Sequence, residues 1–322
     1  MSIPKKKIFL GMMSWQGGHG HIDQTLKSIF DQTYYDFKLV IYDDCSPQDP
    51  SKEIVSLISS ESRASFIRGS KRLGSSKASQ YLLSIAPSDT DYFAWISDHD
   101  LYQKDWLLKL IKALDTNHLA AVSYPYVTGI NSDGSTNNRK PTVYNNNSQS
   151  ALERIDSFLS LNAGAGNIIW GLYRYSLLKS IGGWPRTVVP DIILLSRLAK
   201  LGTFVQINEV LHIRREQEER ENSLISKSSG GMASRQIKAI FPKRPFYTYI
   251  DYRLVNSIYL LFKEPIPALF KKKHDFKTAR YLWVKYSQYN LLPLLQEIPY
   301  RLVSNRFTRW IRQNQLNKKN RN

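Results

Sequence analysis

Three places in this sequence set carboxylates where they could do chemistry. Asp98-His99-Asp100 follows the aromatic run Tyr92-Phe93-Ala94-Trp95-Ile96. Two carboxylates two residues apart can present oxygens to one hard divalent cation, which in turn bridges phosphate oxygens. Ser97-Asp98 could equally cap the helix that follows. Asp43-Asp44 closes a second apolar run, Phe37–Tyr42, and precedes Cys45-Ser46-Pro47. A carboxylate there can accept a hydrogen bond from a nucleobase N–H or a ribose hydroxyl, although Asp, Ser and Pro together also make a turn. Asp191 opens the helical segment Ile192–Leu201, behind Trp184-Pro185 and Pro190. It can act as an N-cap, or as a base that takes the proton of an attacking hydroxyl.

A fourth feature is cationic. Within Arg68–Lys77, Gly74-Ser75-Ser76 opens a helix and Lys77 stands in its first turn. A helix N-terminus with cations nearby suits phosphate. The segment is not a P-loop, and Gly17-Gly18-His19-Gly20 lacks the third glycine of the dinucleotide fingerprint. The six histidines show no H-x-x-x-H or H-E-x-x-H spacing, and no G-x-S-x-G elbow is present. His212, in Val210-Leu211-His212-Ile213-Arg214, reads as a half-buried histidine of an apolar-basic stretch. Cys45 is the single cysteine, which excludes an internal disulfide and a cysteine-based zinc site.

The elements that must position these residues alternate. Strand-like runs at Lys7–Met13, Phe37–Tyr42, Ala64–Arg68, Tyr92–Ile96 and Ala120–Tyr124 are separated by helix-period segments at Ile22–Phe30, Lys52–Ile58, Ser76–Ile85 and Trp106–Leu114. That order predicts an α/β fold with a mostly parallel sheet covered on both faces, and ligands at the carboxyl ends of its strands. Asn131–Ser150 reads as a polar loop, Ala151–Leu161 as helix, Gly164–Tyr173 and Thr203–Ile207 as strands, and Glu209–Ser229 as a charged loop.

The net charge of +18 is concentrated at one end. Ile240–Asn322 holds 17 Lys/Arg against 4 Asp/Glu, which leaves only +5 for the first 239 residues. Trp283, Tyr286, Tyr289 and Trp310 stand there beside Lys285, Arg301, Arg309 and Arg312, a mixture suited to an anionic membrane surface or to a helical appendage with a solvated basic face. The apolar run Ile8–Met13 is too short for a signal-peptide core, and no apolar run approaches the roughly 20 residues of a spanning helix. These features predict a cytoplasmic protein, peripheral on the inner face of the membrane, with a catalytic domain over 1–229 and a basic, aromatic-rich, mainly helical region over 230–322.

Taken in order, Ile22–Ile29, Gln32-Thr33-Tyr34, Val40–Ser46, Arg72–Ser76, Tyr92–Leu101, Gly171–Arg174, Gly182-Gly183-Trp184-Pro185 and Asp191 with its helix resemble the family 2 inverting glycosyltransferases of GT-A fold, over residues 7–215. The resemblance implies transfer of a sugar, hexosyl in type, from a UDP-, GDP- or dTDP-linked donor to a glycan or lipid-linked acceptor, in polysaccharide, surface-glycan or glycolipid assembly. Asp43 or Asp44 would contact the base or ribose, Asp98 the sugar-ribose end, and Gly74, Ser75 and Lys77 the same donor. Asp98 and Asp100 would hold Mg²⁺ or Mn²⁺, and Asp191 takes the position of the general base. Leu211–Arg215 matches the stretch that approaches the diphosphate, which assigns Arg214 to the donor and makes His212 a candidate metal ligand. Pro190 stands where many relatives carry an acidic residue, and Gln217 near where close relatives carry a histidine. His99, the middle residue of the triplet, is expected to point away from the metal. Three other readings fit parts of the sequence. They are a nucleic-acid- or anionic-surface-binding protein, a nucleotidyltransferase on a related sheet, and an inactive paralogue. Strand-end carboxylates and charge lying outside the sheet domain argue against nucleic acid as a partner.

Overall fold

Runs of apolar residues too short for helices, ended by Asp, Ser or Gly, become the strands of one sheet. The computed structural model describes residues 5–16, 20–137, 141–160, 167–187, 190–216, 252–263 and 273–291. Strands β1 (Ile8–Ser14), β2 (Phe37–Asp43), β3 (Ala64–Arg68) and β4 (Tyr92–Ile96) lie parallel in the order β3-β2-β1-β4. Their crossovers carry α1 (Ile22–Phe30), α2 (Ser51–Ile58) and α3 (Ser75–Ser84). Every residue of β4 is buried, as a strand covered on both faces requires. Ile22, Leu26 and Ile29 of α1 bury one helical stripe in the same core as Leu10, Leu39, Ile41 and Ile96.

Beyond β4 the sheet becomes mixed. β5 (Leu101–Tyr102), α4 (Trp106–Thr116), β6 (Ala120–Ile130) and the short β7 (Thr136–Asn137) follow, then α5 (Ala151–Leu159). A 3-10 turn at Ile168–Trp170 leads into β8 (Leu172–Arg174), which runs antiparallel between β4 and β6. The expected strand Gly164–Tyr173 is thus shorter and later, and 161–166 lie outside the described residues. At Gly171 a Cβ would stand 2.5 Å from the Ser123 carbonyl oxygen, so the chain passes β6 there only as glycine. Then come α6 (Tyr175–Ser180), α7 (Pro190–Leu201) and β9 (Thr203–Arg215), the last parallel to β6 and antiparallel to β5.

Two strands outrun the sequence expectation. β6 continues through Pro125 to Ile130, with its register shifting beside the residue that lacks an N–H. β9 continues through Glu209, expected as loop, to Arg215. A register shift exposes Asn208, Glu209 and Val210 before Leu211 and His212 turn back into the core. The polar stretch after Asn131 is also tied down. Asn146 bridges to Phe204, and Ser150 caps α5 by accepting the Glu153 N–H.

The chain divides into two compact units, Met1–Thr248 and Tyr249–Asn322. In the second, α8 (Tyr252–Lys263) and α9 (Lys273–Tyr286, continued by a π turn at Ser287–Leu291) bury Leu260, Ala279, Leu282 and Tyr286. Trp283 is half-buried with its Nε1 donating to the Ser257 carbonyl at 3.1 Å, and Tyr286 is buried in this unit. Tyr289 meets Lys285, whose ammonium stands 5.7 Å from its ring centre. Trp310, Arg301, Arg309 and Arg312 lie outside the described residues. Among those described, no helix is long and apolar enough to cross a membrane.

Candidate active site

The parallel strands deliver their last residues to one edge. Ser14 pairs with Asp43, and Asp43 with Arg68, so three strand ends lie side by side at this carboxylate. Asp43 is fully buried. It accepts from Arg68 Nη1 at 2.5 Å and from the Ser46 N–H at 3.1 Å, and the Ser46 hydroxyl closes on its other oxygen. Gln16 N–H donates to that same hydroxyl at 2.7 Å. Gln16 and Cys45 both take left-handed backbone angles, φ 60° and 58°, a strain that clusters at functional sites. Asp44 accepts from the Leu73 and Gly74 N–H groups at 2.6 and 2.8 Å. Its carboxylate therefore occupies the anion cradle expected for phosphate ahead of α3, and Ser75 and Lys77 remain exposed on the first turn.

The triplet follows β4 directly. Asp98 is 8% exposed; one oxygen accepts from Trp15 N–H at 3.2 Å, and the other lies 2.8 Å from His99 Nδ1. Asp100 is 2% exposed, and its Oδ2 lies 2.9 Å from His212 Nε2 while Oδ1 accepts from Arg215 N–H at 2.9 Å. His99 Nε2 stands 3.8 Å from Asp100. The imidazole expected to turn away thus lies between the two carboxylates. Burial alone would lower its pKa, but the hydrogen bond it gives to Asp98 and the charges of both carboxylates hold it above the usual histidine value. Burial would raise Asp100, yet the His212 hydrogen bond, the nearby imidazoles and Arg215 N–H hold it below the usual carboxylate value.

These are hard oxygen donors suited to Mg²⁺ or Mn²⁺. Among the described residues no group of three or more His, Cys, Asp or Glu is arranged to hold a metal. Asp98 and Asp100 are of the right donor class for such a cation, and the rest of its ligands would have to come from outside these two side chains. His212 lies flat on Tyr102, ring centres 4.9 Å apart and planes 3° from parallel, with Nε2 engaged by Asp100. It orients that carboxylate.

Asp191 is the second residue of α7, after Pro190, so it sits inside the first turn rather than at the cap. Burial raises its pKa, against hydrogen bonds from its own and Ile192 N–H groups. Burial, and after it the charge of Asp191, hold the Tyr173 phenol well above its usual pKa. Tyr173 packs on Trp95 at 5.6 Å and Trp95 on Trp184 at 4.7 Å, an aromatic floor for this side of the site. At the other end of α7, Arg154 donates to the Ala199 and Lys200 carbonyls at 2.8 and 3.1 Å and fixes the helix.

Sequence reasoning passed over Trp15, and it named Arg68 and Arg215 only as the ends of longer stretches, with no task of their own. Arg72, expected only as part of the resemblance, lays its guanidinium 4.2 Å from the Trp15 ring centre. Arg214 is half-buried, and its side chain makes no hydrogen bond or ion pair among the described residues. Nothing in the pattern Arg214-Arg215 distinguishes it from its neighbour, which is wholly engaged.

The glycosyl transferase family 2 model matches residues 20–179. Among solved structures, S. aureus TarS 1-349 in complex with UDP-GlcNAc superposes with a TM-score of 0.54 at 15% identity, over 88% of this chain and 81% of that one. A longer TarS structure gives 0.51 at 14%, over 80% of this chain and 42% of that one. A mannosyltransferase from Pyrobaculum calidifontis, in complex with GDP-Man and Mn²⁺, gives 0.50 at 13%, over 88% and 86%. No curated protein sequence matches the chain.

Proposed function

The chain belongs to glycosyl transferase family 2 and has the GT-A fold, and from that premise we propose that it inverts configuration as it moves a sugar from a nucleoside diphosphate to an acceptor hydroxyl. The observation that carries the reading is the convergence of two buried carboxylates, Asp98 and Asp100, at the end of β4, on the same sheet edge as Asp43 and Asp44. Structural neighbours crystallised with UDP-GlcNAc and with GDP-Man and Mn²⁺ support a nucleotide-sugar donor and a divalent metal.

Each residue then has a task. Asp43 and Asp44 hold the loops at Cys45-Ser46 and Leu73-Gly74 that wall the nucleoside end. Asp98 and Asp100 would hold Mg²⁺ or Mn²⁺; when bound, the cation neutralises charge on the departing diphosphate. Arg214 meets the same diphosphate. Asp191 takes the proton of the acceptor hydroxyl as its oxygen bonds to the anomeric carbon. The bond from that carbon to the diphosphate oxygen breaks on the opposite face, and its electron pair leaves with the nucleoside diphosphate. The acceptor is a glycan or lipid-linked sugar of surface-glycan, polysaccharide or glycolipid assembly.

A thermal-shift screen of UDP-, GDP- and dTDP-sugars, each with and without Mn²⁺, tests the reading. One donor should stabilise the protein, and more so with Mn²⁺. Indifference to all three would remove it.

A further inference from the structure

We infer that Arg215 is a positioning residue for the Asp98–Asp100 turn, and that its neighbour Arg214 alone is left to meet the donor. The inference rests on the donor-site reading above. Arg215 is 4% exposed. A guanidinium buried without a carboxylate is costly unless its N–H groups are satisfied. Here each side-chain bond ends on a neutral oxygen. Nε donates to the His99 carbonyl at 3.2 Å, Nη2 to Gln24 Oε1 at 2.8 Å, and Nη1 reaches the Ser132 carbonyl at 3.5 Å. Its backbone N–H holds Asp100 Oδ1 at 2.9 Å.

Those four bonds tie the end of β9 to α1, to the metal-binding turn and to the turn after β6. A planar fork can reach three directions at once, which a lysine ammonium on its flexible stem does not reproduce. Each of the three guanidinium nitrogens is thus engaged in positioning, and burial keeps the group in the interior rather than turned toward a diphosphate. Arg214 is one residue away, on the other face of the strand. It is half-buried, its side chain has no hydrogen bond or ion pair among the described residues, and its charge bears on His99. Two adjacent arginines therefore divide two tasks.

Mn²⁺ alone, titrated by electron paramagnetic resonance, reads the turn. UDP and GDP, titrated calorimetrically with Mn²⁺ present, read the diphosphate contact. Arg215→Lys should weaken Mn²⁺ about 10–100-fold, the usual loss when a group orienting a metal ligand is removed. Gln24→Met, at an exposed position of α1, should weaken it in the same direction while the protein stays folded. Arg214→Gln should leave Mn²⁺ affinity intact and weaken UDP or GDP. Should Arg215→Lys prove unfolded, Gln24→Met decides alone. Folded variants at Arg215 and Gln24 with wild-type Mn²⁺ affinity would overturn the positioning role. Equal Mn²⁺ loss in Arg214→Gln would overturn the division. A wild-type protein that binds neither Mn²⁺ nor nucleotide is a separate failure, because it removes the donor-site reading itself.

Discussion

His212 and Asp100 are 112 positions apart in sequence and meet in the interior, Nε2 to Oδ2 at 2.9 Å, with side chains 0% and 2% exposed. A buried carboxylate is tolerable only when its lone pairs are taken up, and here one oxygen has the imidazole and the other the Arg215 N–H. His212→Leu keeps the apolar contact with Tyr102 and deletes the hydrogen bond. It should cost about 1–3 kcal/mol of stability, the penalty of stranding a buried polar group. Urea denaturation measures it, and wild-type stability would show that the pair contributes nothing.

Gly171 faces β6 without room for a side chain, since a Cβ would stand 2.5 Å from Ser123 O and 2.8 Å from Val122 Cγ2. Backbone on one side cannot move aside cheaply. Gly171→Ala should therefore destabilise by about 1–3 kcal/mol, as overpacking does in a filled core. Thermal melting would read this as a lowered midpoint. An unchanged midpoint would mean that β8 can shift away from β6.

Much of this was legible in the sequence, and the exceptions have physical causes. The four parallel strands and their helices were readable because each apolar run ends in residues that stop a strand, such as Asp43-Asp44. Asp98 and Asp100 were readable for the same reason, as polar residues just past a buried strand. β9 was truncated in the reading because its register shift exposes Asn208, Glu209 and Val210 together, which looks like loop. Pro125 hid the second half of β6 in the same way. The ring of His99, the burial of Tyr286 and the difference between Arg214 and Arg215 depend on contacts between distant segments, and local pattern carries no trace of them.

The two carboxylates also titrate in opposite directions. Asp191 is raised above its ordinary 3.8 by burial, so its neutral form is the one folding favours. The stability this gives is full below 3.8 and is lost as pH rises through the raised value. Asp100 is lowered from 3.8. Its contribution is present above 3.8 and is lost as pH falls through the lowered value. Acidification should therefore protonate the base while Asp100 and its partners are still intact. Turnover should decline at a higher pH than the one at which the Asp100 contribution to the melting temperature is lost. An acid limb at or below 3.8 would contradict the raised value.

Asp191 itself gives the sharpest separation between binding and chemistry. It lies in the first turn of α7, whereas the donor contacts assigned above come from β2, β4 and β9. Asp191→Asn preserves shape and the N-terminal turn while removing the ability to take a proton. A positioned base contributes about 10²–10⁴ in rate, so kcat should fall by that factor. The dissociation constant for the donor, measured by calorimetry with Mn²⁺, should stay close to wild type, because the residue meets the acceptor and not the nucleotide. The acid limb of the pH profile should vanish along with the rate. A parallel loss of donor affinity would place Asp191 among the donor contacts instead, and an undiminished kcat would return it to the bland role of an acidic residue in the first turn of a helix.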